Sequence, residues 1–210
     1  MIYKLGLKLG HTYYKNSGKE YDEGDVEVYA YGFEAFWEPL LQTVALLLTG
    51  IIFGRGLEVL VFALAFLPIR FNAGGYHAKT SFRCTLSMFI MVGLFIVMIS
   101  LIPLAAMFYL SIFCVLYSFY PIMKFAPFRD KTTPLGPNLA KIFRKRCLII
   151  YFTGAVVIIS LCVLGIILSF NSSPPPHIIS YICASLALGQ FAASSSLFAA
   201  KVKETRAAIA

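Results

Sequence analysis

Charge is scarce in this sequence. Of 210 residues, 13% are Asp, Glu, Lys or Arg, and only ten are acidic. A soluble domain carries about a quarter charged residues, so 59% hydrophobic residues and a mean hydropathy of +0.79 exclude that class and define an integral membrane protein. No nucleotide-binding loop is present, and the apolar runs hold too few ionisable residues to couple an ion gradient. They also lack the clustered His and Glu of an intramembrane metalloprotease. None of the five cysteines, Cys84, Cys114, Cys147, Cys162 and Cys183, falls in a Cys-x-x-Cys pair or beside a His-rich metal spacing. Disulfides, zinc and any other metal or cofactor are therefore not expected. No short apolar segment with a small-residue cleavage site opens the chain, so the N-terminus is expected to stay attached and cytoplasmic.

What is present is a set of apolar runs separated by basic clusters. Residues 1–17 place Ile2, Leu5, Leu9 and Tyr13 at helical spacing, with Lys4, Lys8 and Lys15 off that stripe. This reads as an amphipathic helix on an anionic membrane surface, or equally as a partner-binding helix, weakened by Gly6 and Gly10. Asn16 to Asp25 reads as a polar linker. Spans are expected at 36–53, 57–69, 85–100, 104–123, 148–170 and 178–200. The second is short enough that the bilayer must thin or Arg70 must lie below the headgroups.

Of 18 Lys and Arg, all but Arg55 fall in the N-terminal arm, a polar island at 70–84, the stretch from Lys124 to Arg146, or the tail. The positive-inside rule then places both termini and the island in the cytoplasm and favours six spans. The expected fold is all-α. A cytoplasmic arm at 1–35 precedes a six-helix domain at 36–200, which contains the island and a basic loop at 124–147, and a cytoplasmic tail follows at 201–210.

The island, RFNAGGYHAKTSFRC, holds the chemistry. A thiolate is a strong nucleophile, and an imidazole can take its proton and return it to a leaving amine. His77 and Cys84 are seven residues apart, which in one continuous helix is roughly 10 Å of rise and too far for proton transfer. The helix must break between them, and Gly74 and Gly75 permit that turn. A new helix capped at Thr80 or Ser81 would put Cys84 in or just after its first turn. The helix dipole there, with Arg70 and Arg83, favours the thiolate. Asn72, Glu34 and Glu38 are candidates to orient His77. For an arbitrary histidine and cysteine at this spacing, the plainer reading is favoured, a small buried cysteine and an interfacial histidine. Cys114, Cys162 and Cys183 read as space-fillers, and Cys147, beside Arg144, Lys145 and Arg146, is read the same way.

A resemblance reverses the balance at the island. GGYHA, a cysteine seven positions after the histidine, and an arginine shortly before the glycines resemble the signature of the accessory gene regulator B family. Tyr31, Gly32 and Glu34 before the first span, and Ala126, Pro127, Lys131, Pro134 and Leu135 after a later one, are similar to further landmarks in order. Arg129, Asp130 and Thr132-Thr133-Pro134 depart from the family's pattern near Pro127. The resemblance implies a membrane cysteine endopeptidase of the bacterial cytoplasmic membrane that processes a quorum-sensing peptide precursor. Cys84 would form an acyl-enzyme thioester, which a Cys or Ser of the substrate would take over to give a thiolactone or lactone. The implied partner is a precursor with an amphipathic leader and an acidic tail, and the lipid bilayer is the other. A homodimer is allowed, and no nucleic acid is expected. Arg129 and Lys131 could hold the acidic tail, or simply set topology. The competing class is a non-enzymatic peptide exporter or assembly partner whose polar island lines a path.

Overall fold

The computed structural model describes residues 2–18, 21–74, 81–128, 136–171 and 177–209; for residues 2, 35, 38, 81–84, 170, 171 and 207–209 it describes the backbone alone. These residues form seven helices: α1 (Ile2–Ser17), α2 (Glu23–Ile52), α3 (Gly56–Ala73), α4 (Ser81–Leu101), α5 (Leu104–Phe125), α6 (Pro137–Asn171) and α7 (His177–Ile209). No β-strand occurs among them, so the all-α expectation holds. Helices α2 to α7 stand where six spans were expected. Five of them, α2, α3, α5, α6 and α7, are long and apolar enough to cross a membrane, and Thr85–Leu101 of α4 is a shorter apolar helix.

The elements outrun their apolar runs. The linker expected through Asp25 gives way to helix at Glu23, because Asp22 caps it: the Asp25 N–H donates to Asp22 Oδ1 at 2.9 Å, and the Asp22 N–H donates back to Asp25 Oδ2 at 3.3 Å. Helix α3 continues to Ala73, and its 18 residues rise about 27 Å. That is close to the hydrocarbon thickness of about 30 Å, but only with Arg70 and Asn72 counted in the helix, which fits the second of the two expected alternatives, Arg70 below the headgroups, without thinning. Helix α6 starts at Pro137, whose fixed φ suits a first helical position. Lys141, Arg144, Lys145 and Arg146 therefore lie on α6, not in a loop as expected. Helix α7 likewise runs through Lys201 and Lys203 into the tail, where Lys201 pairs with Glu204.

The chain divides into two compact units, residues 1–48 and 49–210. In the first, α1 packs on α2 through its glycines: a Cβ at Gly6 would lie 3.0 Å from Ala30 Cα, and one at Gly10 would lie 3.1 Å from Val26 Cγ1. Gly6 and Gly10 thus serve close helix approach, whereas Leu5, Leu9 and Tyr13 remain exposed.

In the second unit α7 is the central helix, lying along α5 and α3 and touching α6 and α4. At Gly189 a Cβ would lie 2.5 Å from the Phe62 carbonyl oxygen, so α3 and α7 cross almost backbone to backbone. Buried hydroxyls and one amide join the helices. Ser194 Oγ donates to Ser118 Oγ at 3.0 Å, Gln190 Nε2 to the Tyr151 carbonyl at 3.4 Å, and the Tyr151 hydroxyl to the Val115 carbonyl at 2.8 Å. Such bonds hold helices where lipid tails give no hydrophobic drive between them. Where α2 turns into α3, Gly54 adopts φ +67°. Arg55 bonds Glu58 at 3.0 Å and stacks over the Tyr181 ring at 4.8 Å, fixing the start of α3 to α7.

Candidate active site

Helix α3 ends where the polar island requires. Gly74 has φ +75° and ψ −148°, a region open essentially to glycine alone. Its N–H still donates to the Arg70 carbonyl at 3.1 Å, closing the last turn. Helix α4 begins at Ser81, so no continuous helix joins residues 73 to 90. Cys84 is the fourth described residue of α4. The side chains of residues 81–84, including Arg83, lie outside the described residues. So do Gly75, His77 and Thr80 altogether, and with them the expected approach of imidazole to sulfur.

Two contacts hold the Gly74 turn. The Phe128 N–H donates to the Ala73 carbonyl at 2.7 Å, and Gly74 and Phe128 form an isolated parallel bridge. A Cβ at Gly74 would overlap the Phe128 carbonyl oxygen. The second contact is Arg70, whose Nη1 donates to the Gly74 carbonyl at 3.0 Å and to Ser196 Oγ on α7 at 3.2 Å. Arg70 was expected as a source of positive charge for Cys84. The structure gives it a further task, fastening the glycine turn to the central helix.

The segment after α5 brings the Ala126-Pro127 landmark to this turn, through a cis peptide bond at Pro127. Arg129 and Lys131, immediately beyond, lie outside the described residues. At the ends of the flanking helices, Lys124 Nζ bonds the Tyr120 hydroxyl at 2.9 Å, and Arg144 Nη2 reaches the Met123 carbonyl at 3.4 Å.

Three residues were named as candidates to orient His77, which itself lies outside the described residues. Asn72 Nδ2 donates to the Pro68 carbonyl of its own helix at 2.8 Å. Glu34 belongs to the first compact unit, and the Glu38 side chain lies outside the described residues. Phe128 and Ser196 were missed by sequence reasoning. Pro127 was the available signal for the first; the second, one serine in the run Ser194-Ser195-Ser196, had none. Among the described residues no group of three or more His, Cys, Asp or Glu could hold a metal. Cys114, Cys147, Cys162 and Cys183 are buried free thiols, as space-fillers should be. Cys162 and Cys183 nevertheless face each other, with sulfurs 3.1 Å apart.

These features define a multi-helix membrane protein with a glycine-broken polar segment between two apolar helices. Residues 8–195 match the profile of the family described as accessory gene regulator B, and the chain belongs to that family. It is 26% identical over 171 residues to a protein named AgrB-like protein 2 from Clostridium perfringens (strain 13 / Type A), covering 75% of this chain and 74% of the relative. It is also 26% identical over 136 residues to a protein named AgrB-like from Clostridium perfringens (strain SM101 / Type A), covering 60% of this chain and 61% of that one. No solved structure matches the chain. Family membership supports a membrane protein with a role in the agr quorum-sensing system.

Proposed function

We propose that this chain is a membrane cysteine endopeptidase that cleaves a quorum-sensing peptide precursor and cyclises the fragment it retains. Cys84 attacks a peptide carbonyl, and His77 takes the thiol proton and delivers it to the leaving amine, releasing the acidic tail. The acyl group, held as a thioester on Cys84, then passes to a Cys or Ser side chain of the substrate, freeing a thiolactone or lactone and restoring the thiol. Because thioester exchange is nearly isoenergetic, exclusion of water and removal of the tail favour ring closure over hydrolysis.

The observation that supports this most is the break at Gly74. It ends α3 three residues before His77, so α3 does not run on as one helix through His77 to Cys84; the turn that would bring imidazole to sulfur belongs to residues outside the described ones. The Gly74–Phe128 bridge supports a second part of the reading. It pairs Phe128, the residue before Arg129, with Gly74, three residues before His77, which supports Arg129 and Lys131 as contacts for an acidic tail. On this reading the island faces the cytoplasm, where thiols stay reduced. The test is cleavage of a precursor with an amphipathic leader, a Cys or Ser core and an acidic tail by purified protein. Cys84→Ala should remove it while the protein still inserts, and an exporter or assembly partner would cleave nothing.

A further inference from the structure

The Cys162–Cys183 pair plays no part in the proposed peptidase chemistry and does not depend on it. Cys162 lies on α6 and Cys183 on α7, at 2% and 0% exposure, with sulfurs 3.1 Å apart. Each thiol also faces a main-chain carbonyl, Cys162 that of Phe108 at 3.9 Å and Cys183 that of Ile158 at 3.6 Å. Small residues permit this closeness. Ala184 and Ala187 are buried on α7, and on α6 Gly165 leaves room for the Phe108 ring, which a Cβ there would strike.

Packing alone requires no such facing pair, since one thiol and one alanine would fill a small gap as well. Two side-chain sulfurs nearer than ordinary non-bonded contact need only a small movement to bond, provided an oxidant removes two electrons. The location selects the kind of oxidant. Ile159 and Val163, the helical neighbours of Cys162, are 49% and 51% exposed on the apolar surface of α6, so the pair lies one side-chain layer beneath the lipid-facing surface. Cys162 is nine residues from the end of α6 and Cys183 six from the start of α7, roughly 14 and 9 Å along their helices. On the orientation expected from the charge distribution, that end of the hairpin faces away from the reducing cytosol.

We propose that Cys162 and Cys183 form a reversible dithiol–disulfide site whose oxidant is a lipid-soluble quinone. Both S–H bonds break and one S–S bond forms. The two electrons and two protons pass to the quinone, which becomes a hydroquinone, and a dithiol reductant reverses the reaction. The disulfide would staple α6 to α7, the helix that carries Ser196 and through it Arg70.

The test uses the full chain in lipid vesicles with Cys84→Ala, which leaves four cysteines. A decyl-substituted benzoquinone with no free ring position oxidises thiols without adding to them. After anaerobic treatment and denaturation, thiols titratable with a maleimide should fall from four to two and return to four with dithiothreitol. Peptide mapping should find Cys162 linked to Cys183 within one chain. Adding Cys162→Ser should abolish the loss, and if that variant does not insert, the map of its parent decides alone. Four titratable thiols after quinone treatment, or a disulfide that involves Cys114 or Cys147, would overturn the proposal.

Discussion

The Phe128 N–H donates to the Ala73 carbonyl at 2.7 Å, so the segment leaving α5 is bonded by its main chain to the last turn of α3. Such a bond carries no side-chain signature. It is possible because Gly74 presents bare backbone to Phe128, and it makes Gly74 the residue on which the geometry of the island most depends.

Gly74→Ala is therefore expected to be costly twice over. Its backbone conformation penalises an L side chain by about 1–3 kcal/mol, and the new Cβ meets the Phe128 carbonyl oxygen. Thermal unfolding in detergent should shift down and precursor cleavage should fall. Gly93→Ala in α4 is the control, since a Cβ there meets nothing within 4 Å, and it should be neutral or stabilise by up to about 1 kcal/mol. Equal stability and cleavage for the two variants would show that the turn is not held as described.

Arg70 and Ser196 should differ in effect. Ser196→Ala removes one of the two bonds from Arg70 Nη1 and leaves the Gly74 carbonyl bonded. Arg70→Ala removes both, each bond to a charged group being worth about 1.5–3 kcal/mol. Cleavage should drop severalfold to tenfold for Ser196→Ala, recover in part with Ser196→Thr, and drop further for Arg70→Ala. Identical rates for wild type and Ser196→Ala would show that the Ser196 bond does not help hold the turn.

Much of this fold could be read from hydropathy, because spans are dictated by apolar length, and helices α2 to α7 occupy the expected places. Helix ends were less legible. Asp22 caps α2 with a local hydrogen bond that composition does not reveal, and Pro137 starts α6 inside what reads as a basic loop. The glycines of α1 were misjudged because their cost to an isolated helix is local, whereas their use against Val26 and Ala30 is tertiary. At the site, non-helical backbone in the island was expected from the spacing of His77 and Cys84, and Gly74 supplies it on the N-terminal side of His77; the stretch from His77 to Thr80 lies outside the described residues. The Phe128 bridge and the Arg70–Ser196 bond join stretches distant in sequence, and no periodicity encodes them.

Orientation can be tested by labelling. In a cysteine-free variant carrying single cysteines at Ser173, Thr133 or Ala208, only the Ser173 probe should react in intact cells with a membrane-impermeant maleimide. Reaction at Thr133 would reverse the side assigned to the island.

Reversing both Arg129 and Lys131 to Glu should raise the apparent KM for precursor. The change should shrink as salt rises, because exposed charges are screened beyond about 8 Å at physiological ionic strength. Each exposed pair contributes only about 0.2–1 kcal/mol, so the double change is needed. Correctly inserted double mutant with an unaltered KM would leave these residues the role of setting topology alone.

The central claim is that Cys84 carries the acyl group, and intact-protein mass spectrometry tests it most directly. Purified protein mixed briefly with a precursor whose core Cys or Ser is replaced by Ala cannot complete the ring. It should gain the mass of the leader and core without the acidic tail, on Cys84 by peptide mapping, and hydroxylamine should release the adduct as a thioester. Efficient cleavage of the parent precursor by the Cys84→Ala protein, with no adduct on any cysteine, would contradict it.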